Sequence, residues 1–574
     1  MPQQRLSELA RGFRSQYLSY AQLTQQLQSW ATEFPDLVKL GSLGKTPEGR
    51  EIWLLTLGTE PERARPGVWV DGNLHASEVC GSSAALGIAE DVLRLHLEPE
   101  AELHGLPGHV RERLRELLFH VVPRISPDGA EAVLDTGRWL RSVPRDNRVK
   151  THEPYWKLQD VDGDGKCRLL RIADPCGDFV EVEGGRMRAR RLEDAGPFFR
   201  VYPEGVIEHF DGSHIPEAKM LSDHEPDLNR NFPWSWAPEH EQLGAGAYPG
   251  SEPESRAVLE YTSRLPTLFA WLNFHTFGGV FIRPRGDVAD NKMDQGDLAV
   301  FKQIESWAAE LTGYPMVSGY EEFTYEPDKP LRGDLSDYAY HHRGAIGYVC
   351  ELWDFFSQIG MTRKRPFVHA YSHATDTDHA DAVRWDQEHN AGRVFQPWRA
   401  CEHPQLGEVE VGGLLPLVGI WNPPYERIDE VCQGQSACFL RVAALAPQLK
   451  LDVALTELGH ELWRVDCTLE NHGYLASYGL PSARKLEWNT APVVELSLAG
   501  ALRQISPEAS CLPLPHLEGW GRGAHASPVH YPRSAGCARA KQSFVVRGSG
   551  EVSVRAGCPR TGYLQHTVEL RAAP

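Results

Sequence analysis

Three apolar runs in this chain end on polar side chains: GVWVD leads to His75, FAWLNFH closes on His275, and GAIGYVCELWD carries Glu351 near its end. Uninterrupted apolar runs of this length read as buried strands, and SSAALGIAEDVLRLH after the first of them has the apolar spacing of a helix. Strands and helices in that order predict an open α/β sheet, which places its sites at the carboxyl ends of its strands. The polar groups at those ends come from distant parts of the chain. Only a shared sheet could bring them together.

His75 and Glu78 stand three residues apart, and His275 lies far downstream. Two imidazoles and one carboxylate, with a fourth position left to water, are a standard ligand set for zinc that does chemistry. An HxxE pair alone is more often an exposed helix end than a metal site. Here it is accompanied by Asp227-Leu228-Asn229-Arg230-Asn231, which reads as an anion clamp, because a guanidinium fork matches a carboxylate bidentately.

Taken in order, YAQLTQQLQSWATEFPDLVKLGSLGKTPEGREIWLLTLG, GNLHASE, PRISPDG, GRWLR, DLNRNFP, LNFHTFGG and VCELWD resemble the zinc metallocarboxypeptidase family typified by carboxypeptidases A and B. The resemblance spans roughly residues 15 to 360, and the joint occurrence of the motifs is far more specific than any one of them. It implies that His75, Glu78 and His275 hold one zinc ion. It further implies that Asp227 accepts the free ring N–H of His75 and that Glu351 is the general base. Arg141 in GRWLR would stabilise the oxyanion, while Asn229 and Arg230 would bind the terminal carboxylate of a peptide. Tyr325 is the candidate for the tyrosine that the family places over its substrate, although FTYEPDKPLRGDLSDYAYHH does not align cleanly. Ser336, before Asp337, falls at the family's side-chain specificity position and is small and neutral; Lys329 and Arg332 nearby leave acidic terminal residues open.

Other readings stand beside these. Arg141 belongs to a series with Arg138, Arg145 and Arg148 that could form a solvated basic face. Glu351 could pair with a buried arginine, and Asp227 could be a turn residue. At the level of function, a murein-type peptidase acting on γ-glutamyl or diaminopimelate linkages, a deacylase-type amidohydrolase and a non-catalytic binding protein remain alternatives to a carboxypeptidase.

The expected fold is α/β: a mixed central sheet flanked by helices in residues 1–446, and a C-terminal antiparallel β-sandwich in 447–574. At 574 residues the chain exceeds one usual core. Beyond Leu449 it turns into short strands such as LWRVDCTLEN and EVSVRAG. Between about 145 and 224 the family pattern is interrupted by a stretch too long for a plain loop, expected to form a subdomain near the site entrance. Within it, Asp160, Asp162 and Asp164 begin like a calcium loop, but Arg171 stands where the bidentate glutamate is required. A tight Asp/Gly turn is the better reading, with calcium the lesser one. GEVEVGGLLP reads as a short strand pair, and the segment after it as a turn and a helix closing the first domain.

A formal charge of −19 argues against a nucleic-acid partner. The first residues lack the apolar core of a signal peptide, and no segment has the length of a membrane span, so a cytoplasmic location is expected. The partners are then peptides with a free terminal carboxylate, without membrane binding, and self-association through the sandwich is left open. Eleven cysteines without a CxxC pair suit reduced, buried thiols.

Overall fold

The computed structural model describes residues 6, 8–145, 152–217, 226–326, 329–523 and 536–571. Arg148 and the last part of the expected insert lie outside the described residues.

Eight strands form the central sheet: β1 (Val38–Lys45), β2 (Glu51–Leu57), β3 (Gly67–Asp71), β4 (Leu118–Val122), β5 (Leu268–Thr276), β6 (Val280–Arg283), β7 (Met316–Ser318) and β8 (Ile346–Leu352). Their order is β1-β2-β4-β3-β5-β8-β6-β7. The inner strands β4, β3, β5 and β8 run parallel, whereas β1 and β2 on one side and β6 on the other add antiparallel pairings. Every residue of β3, β4 and β5 is buried. That is why their sequences are continuous apolar runs rather than alternating ones.

Helix α1 (Cys80–Leu97) and helix α2 (Ile428–Ala443) pack into one hydrophobic core with the sheet. A Cβ built on Gly87 would lie 3.0 Å from the Cβ of Cys432, so the two helices can approach this closely only with glycine at that position. All eleven cysteines are unpaired. Burial first, and neighbouring thiols after it, push the thiols of Cys80 and Cys350 well above their ordinary range, which leaves them inert packing groups.

The interrupted region builds structure of its own. Tyr155–Leu158 and Gly205–Glu208 pair as a stem. The strands between them join a six-stranded sheet ordered Phe395–His403, Gly407–Leu414, Leu169–Ala173, Phe198–Pro203, Phe179–Val182, Arg186–Ala189. This corrects the strand-pair reading of GEVEVGGLLP: it is a single strand, paired with Phe395–His403 on one side and Leu169–Ala173 on the other. A local pattern cannot reveal a partner more than 200 residues away. Arg171 clamps the two halves, donating to Glu181 (2.7 Å) and Glu410 (2.8 Å) between the rings of Phe199 and Trp398.

In the Asp/Gly turn, Asp160 accepts from the backbone N–H groups of Gly163 (2.7 Å) and Gly165 (2.8 Å). Asp160 and Asp162 lie near Glu204, while Asp164 turns away to pair with Arg168 at 2.6 Å.

Two four-stranded antiparallel sheets face each other in the C-terminal region. Leu449–Gly459, Leu462–Asn471, Arg539–Arg547 and Arg503–Ser506 make one. Cys511–Pro513, Val493–Leu498, Gly550–Cys558 and Gly562–Leu570 make the other. Val465, Phe544, Val494 and Val554 meet in their shared core. The core of the central sheet also runs into this region through Leu475, Leu480 and Ala483. Arg560, fully buried, reaches from a sandwich turn to the start of two site-bearing strands. It donates to the carbonyls of Leu268, Arg343 (2.6 Å) and Gly344 (3.4 Å) and stacks on Trp488.

Candidate active site

Strand β3 ends at Asp71, and the chain turns sharply through Gly72, where a Cβ would run into the Gly81 backbone. Asn73, at φ +55°, holds the turn: its amide donates to the carbonyls of His75 (2.6 Å) and Ala76 (3.1 Å), and its oxygen accepts from Ser82 (3.2 Å). His75 and Glu78 are thereby delivered between the end of β3 and the start of α1. His275 and Glu351 are direct register partners on the parallel strands β5 and β8. Strand geometry therefore points both side chains from the same face, one inter-strand spacing of about 4.8 Å apart.

His75, Glu78 and His275 converge, all three buried. Glu78 Oε1 lies 2.8 Å from His75 Nδ1, Glu78 Oε2 lies 2.9 Å from His275 Nδ1, and the two ring nitrogens are 3.0 Å apart. Among the described residues Glu78 Oε2 accepts no hydrogen bond of acceptable geometry despite its burial. Three electron-pair donors facing one another, one of them an orphaned buried carboxylate oxygen, are what a cation would satisfy and the protein alone does not. The residues present fit zinc. Burial pushes the Glu78 carboxyl up, but the two imidazoles outweigh it and hold the group well below the usual carboxylate range.

Asp227 Oδ1 lies 3.2 Å from His75 Nε2, and Asp227 Oδ2 accepts from Arg141 Nε at 2.9 Å. Burial raises the Asp227 carboxyl, yet Arg141, Arg230 and His75 win and keep it ionised. Arg141 is thus tied into the site, with Nη1 3.7 Å from Glu78. Arg145 is paired with Glu252 and Glu254, so these two arginines do not form a solvated basic face. Asn229 accepts the N–H of Leu335 at 2.9 Å, which leaves its amide NH₂ as the donor for the cavity.

Asn229, Arg230, Arg141, Tyr325 and Glu351 all line one cavity of about 170 Å³ together with the three metal-type residues. Glu351 reaches the cavity but is otherwise ringed by protein. Burial pushes its carboxyl up and Glu78 adds to this, against His275 and Arg141, with a balance at about 8. Tyr325 is 56% exposed at the mouth. A larger cavity of about 310 Å³ lies between the lobes, lined by Arg63, Arg65, Arg113 and Pro447 among others, and among the described residues no histidine or cysteine lines it.

Several residues that line the site escaped sequence reasoning, Tyr371 and Trp421 among them. The Tyr371 hydroxyl donates to the Phe277 carbonyl. Trp421 packs at a tilt of 47° against Trp139 of GRWLR, with ring centroids 3.9 Å apart. Asn422 ties this segment to the metal loop through the N–H of Cys80 (2.9 Å) and the carbonyl of Ser77 (2.8 Å). Both aromatics lie beyond the stretch that resembles the family, and nothing in their local sequence marks them.

A mixed α/β sheet with a two-histidine, one-carboxylate cluster at its strand ends, opposite a glutamate and an arginine, defines a metallopeptidase class of site. The chain belongs to the zinc carboxypeptidase family, whose profile matches residues 23–167 and 208–364, more than half of its length. Residues 448–569 match a second profile, described as a domain of unknown function. Mouse carboxypeptidase D is 30% identical over 108 residues, 18% of this chain and 7% of that protein. A zinc carboxypeptidase of Saccharothrix mutabilis subsp. capreolus is 25% identical over 123 residues, 21% of this chain and 26% of that protein. The chain therefore aligns with only a small part of either relative's length. Among solved structures, thrombin activatable fibrinolysis inhibitor is 14% identical with a TM-score of 0.43, covering 77% of this chain and 78% of that one. A metallo-carboxypeptidase of Burkholderia cenocepacia is 15% identical with a TM-score of 0.35, covering 72% and 67%. Among the described residues no helix is long and apolar enough to cross a membrane.

Proposed function

We propose that the protein hydrolyses the last peptide bond of peptides that carry a free terminal carboxylate. The observation that carries this reading is the meeting, in one cavity, of the His75/Glu78/His275 cluster, Glu351, and the Asn229/Arg230 clamp. When bound, zinc would supply Lewis acidity to the attacking water and the scissile carbonyl.

The protein's own groups do the rest. Arg230 and the Asn229 amide hold the terminal carboxylate, which sets the scissile bond at a fixed distance from the metal residues and makes the enzyme an exopeptidase. Glu351 accepts a proton from the attacking water and returns it to the leaving amine nitrogen. Arg141, oriented by Asp227, offers its guanidinium to the developing oxyanion. Tyr325 covers the substrate from the mouth.

The side-chain end of the cavity supports neutral or cationic terminal residues over acidic ones. Lys329 pairs with Glu326 (2.7 Å) and Arg332 with Glu241 (3.4 Å), so neither is turned to the cavity. Asp334 and Ser336 line it instead, among Ile282, Leu331 and Val349. The test is digestion of α- and γ-linked peptide libraries by the zinc-loaded protein, with products read by mass spectrometry. Release of single C-terminal residues from free-acid peptides is expected. Equal cleavage of C-terminally amidated peptides would overturn the exopeptidase reading.

A further inference from the structure

Behind His275 lies a second, fully buried polar chain. His275 Nε2 is 2.5 Å from Asn273 Oδ1, and Asn273 Nδ2 donates to Asp71 Oδ1. Asp71 Oδ2 accepts from the indoles of Trp69 and Trp271, each at 2.7 Å. Asp71, Asn273 and both tryptophans have no exposed surface. Strand register builds the arrangement: Asp71 pairs with Asn273 and Trp69 with Trp271 across β3 and β5. Residues 271, 273 and 275 share one face because strand side chains repeat every second residue.

Burial pushes the Asp71 carboxyl up to about 6 against the hydrogen bonds from Asn273, Trp271 and Trp69, so at neutral pH it is ionised, and the donor and acceptor order in this chain then admits one solution. An ionised carboxylate only accepts, so it must face the amide NH₂ of Asn273. The amide oxygen then faces His275, whose Nε2 must carry the ring hydrogen. His275 Nδ1 is left with its lone pair directed at Glu78 and His75, where a cation would sit. His75 has a carboxylate of its own, Asp227, in direct reach; for His275 the carboxylate acts through an amide.

We propose that Asp71 is a positioning residue for the metal site, fixing through Asn273 the tautomer in which His275 can serve as a ligand. This rests on the metal reading given above, and the two can fail separately. The alternative is that Asp71 only satisfies two buried indoles.

The test is a reciprocal exchange in the full chain, with zinc affinity measured by competition against a chromophoric chelator. In Asp71→Asn the amide oxygen can still accept both indoles, but its NH₂ would confront that of Asn273. Relieving that clash turns the Asn273 NH₂ toward His275 and forces the ring hydrogen onto Nδ1. Zinc affinity should fall by about 10–100-fold, the usual loss when a ligand's supporting partner is removed. Asn273→Asp should also weaken it, by opposing two carboxylates. The double exchange Asp71→Asn/Asn273→Asp restores the donor–acceptor order and should recover most of the affinity.

Parent-like zinc affinity in folded Asp71→Asn, or a double variant no tighter than the singles, would overturn the proposal. Should the variants not fold, ¹⁵N shifts of the metal-free parent at alkaline pH decide it: His275 protonated on Nε2 is expected, and protonation on Nδ1 refutes it. A parent that binds no zinc at all would instead refute the metal reading.

Discussion

Replacing Glu351 by glutamine keeps the side chain's size and its place opposite His275 while removing the proton acceptor. A positioned acid–base group contributes about 10²–10⁴-fold to turnover, which at about 1.36 kcal/mol per decade is roughly 2.7–5.5 kcal/mol of barrier. That loss should fall on kcat, because Arg230 and Asn229 still hold the carboxylate, and zinc content should be unchanged. The pH profile supplies a second readout. A base must be ionised to act, so kcat/KM should fall as pH drops through the Glu351 pKa, which burial has pushed up to about 8. A divalent cation beside the carboxylate favours its ionised form, so in the zinc enzyme this limb belongs below that value. Initial rates on a blocked dipeptide with a free carboxylate, taken across the neutral and alkaline range with zinc measured in parallel, test both points. A variant that keeps most of the parent's kcat together with its acid limb would remove Glu351 from the role.

Arg230→Ala should cost about 1.5–3 kcal/mol in kcat/KM, the worth of a hydrogen bond to a charged group; amidating the substrate should cost much the same, and combining the two should add little. Chelation should abolish activity, added zinc should restore it, and His75→Ala should fail to retain a full complement of metal on elemental analysis. Asp334→Asn should lower kcat/KM for lysine- and arginine-terminated peptides relative to leucine-terminated ones, so an unchanged ratio would remove Asp334 from specificity. A chain truncated at Pro447 should lose its cooperative urea transition or aggregate, since Leu475, Leu480 and Ala483 complete the catalytic-side core and Arg560 caps carbonyls at Leu268, Arg343 and Gly344; a truncated chain with parent-like unfolding would show that the lobes are energetically independent.

The metal-type cluster and the central sheet were legible because their signals are local: an apolar strand followed by a ligand needs no knowledge of what packs beside it. His75, His275 and Glu351 could be picked out for that reason, whereas Asn229 and Arg230, on a short turn, are read from the DLNRN motif and take their role from the family resemblance. What escaped depends on pairing between distant segments. Asp71 and Asn273 look like ordinary strand ends until register sets them side by side. Tyr371 and Trp421 reach the cavity from a region with no motif, held there by Asn422 against the metal loop. In the sandwich the longer strands were visible by alternation, whereas Arg503–Ser506 and Cys511–Pro513 were too short to stand out.

The second sheet ties together the two stretches that the family profile leaves unmatched. The family profile breaks off twice, at 168–207 and after 364, and strands from both stretches join in a single hydrogen-bonded sheet, meeting where Gly407–Leu414 pairs with Leu169–Ala173. The two stretches are therefore structurally interdependent. Excising 168–207 alone would strip Gly407–Leu414 of its partner Leu169–Ala173 and turn an inner strand into an edge with unpaired amides, a template for aggregation. It would also leave Glu410 without Arg171. A lineage could gain or shed this sheet only as a unit, so relatives that lack the 168–207 stretch should also lack the strands at 395–414.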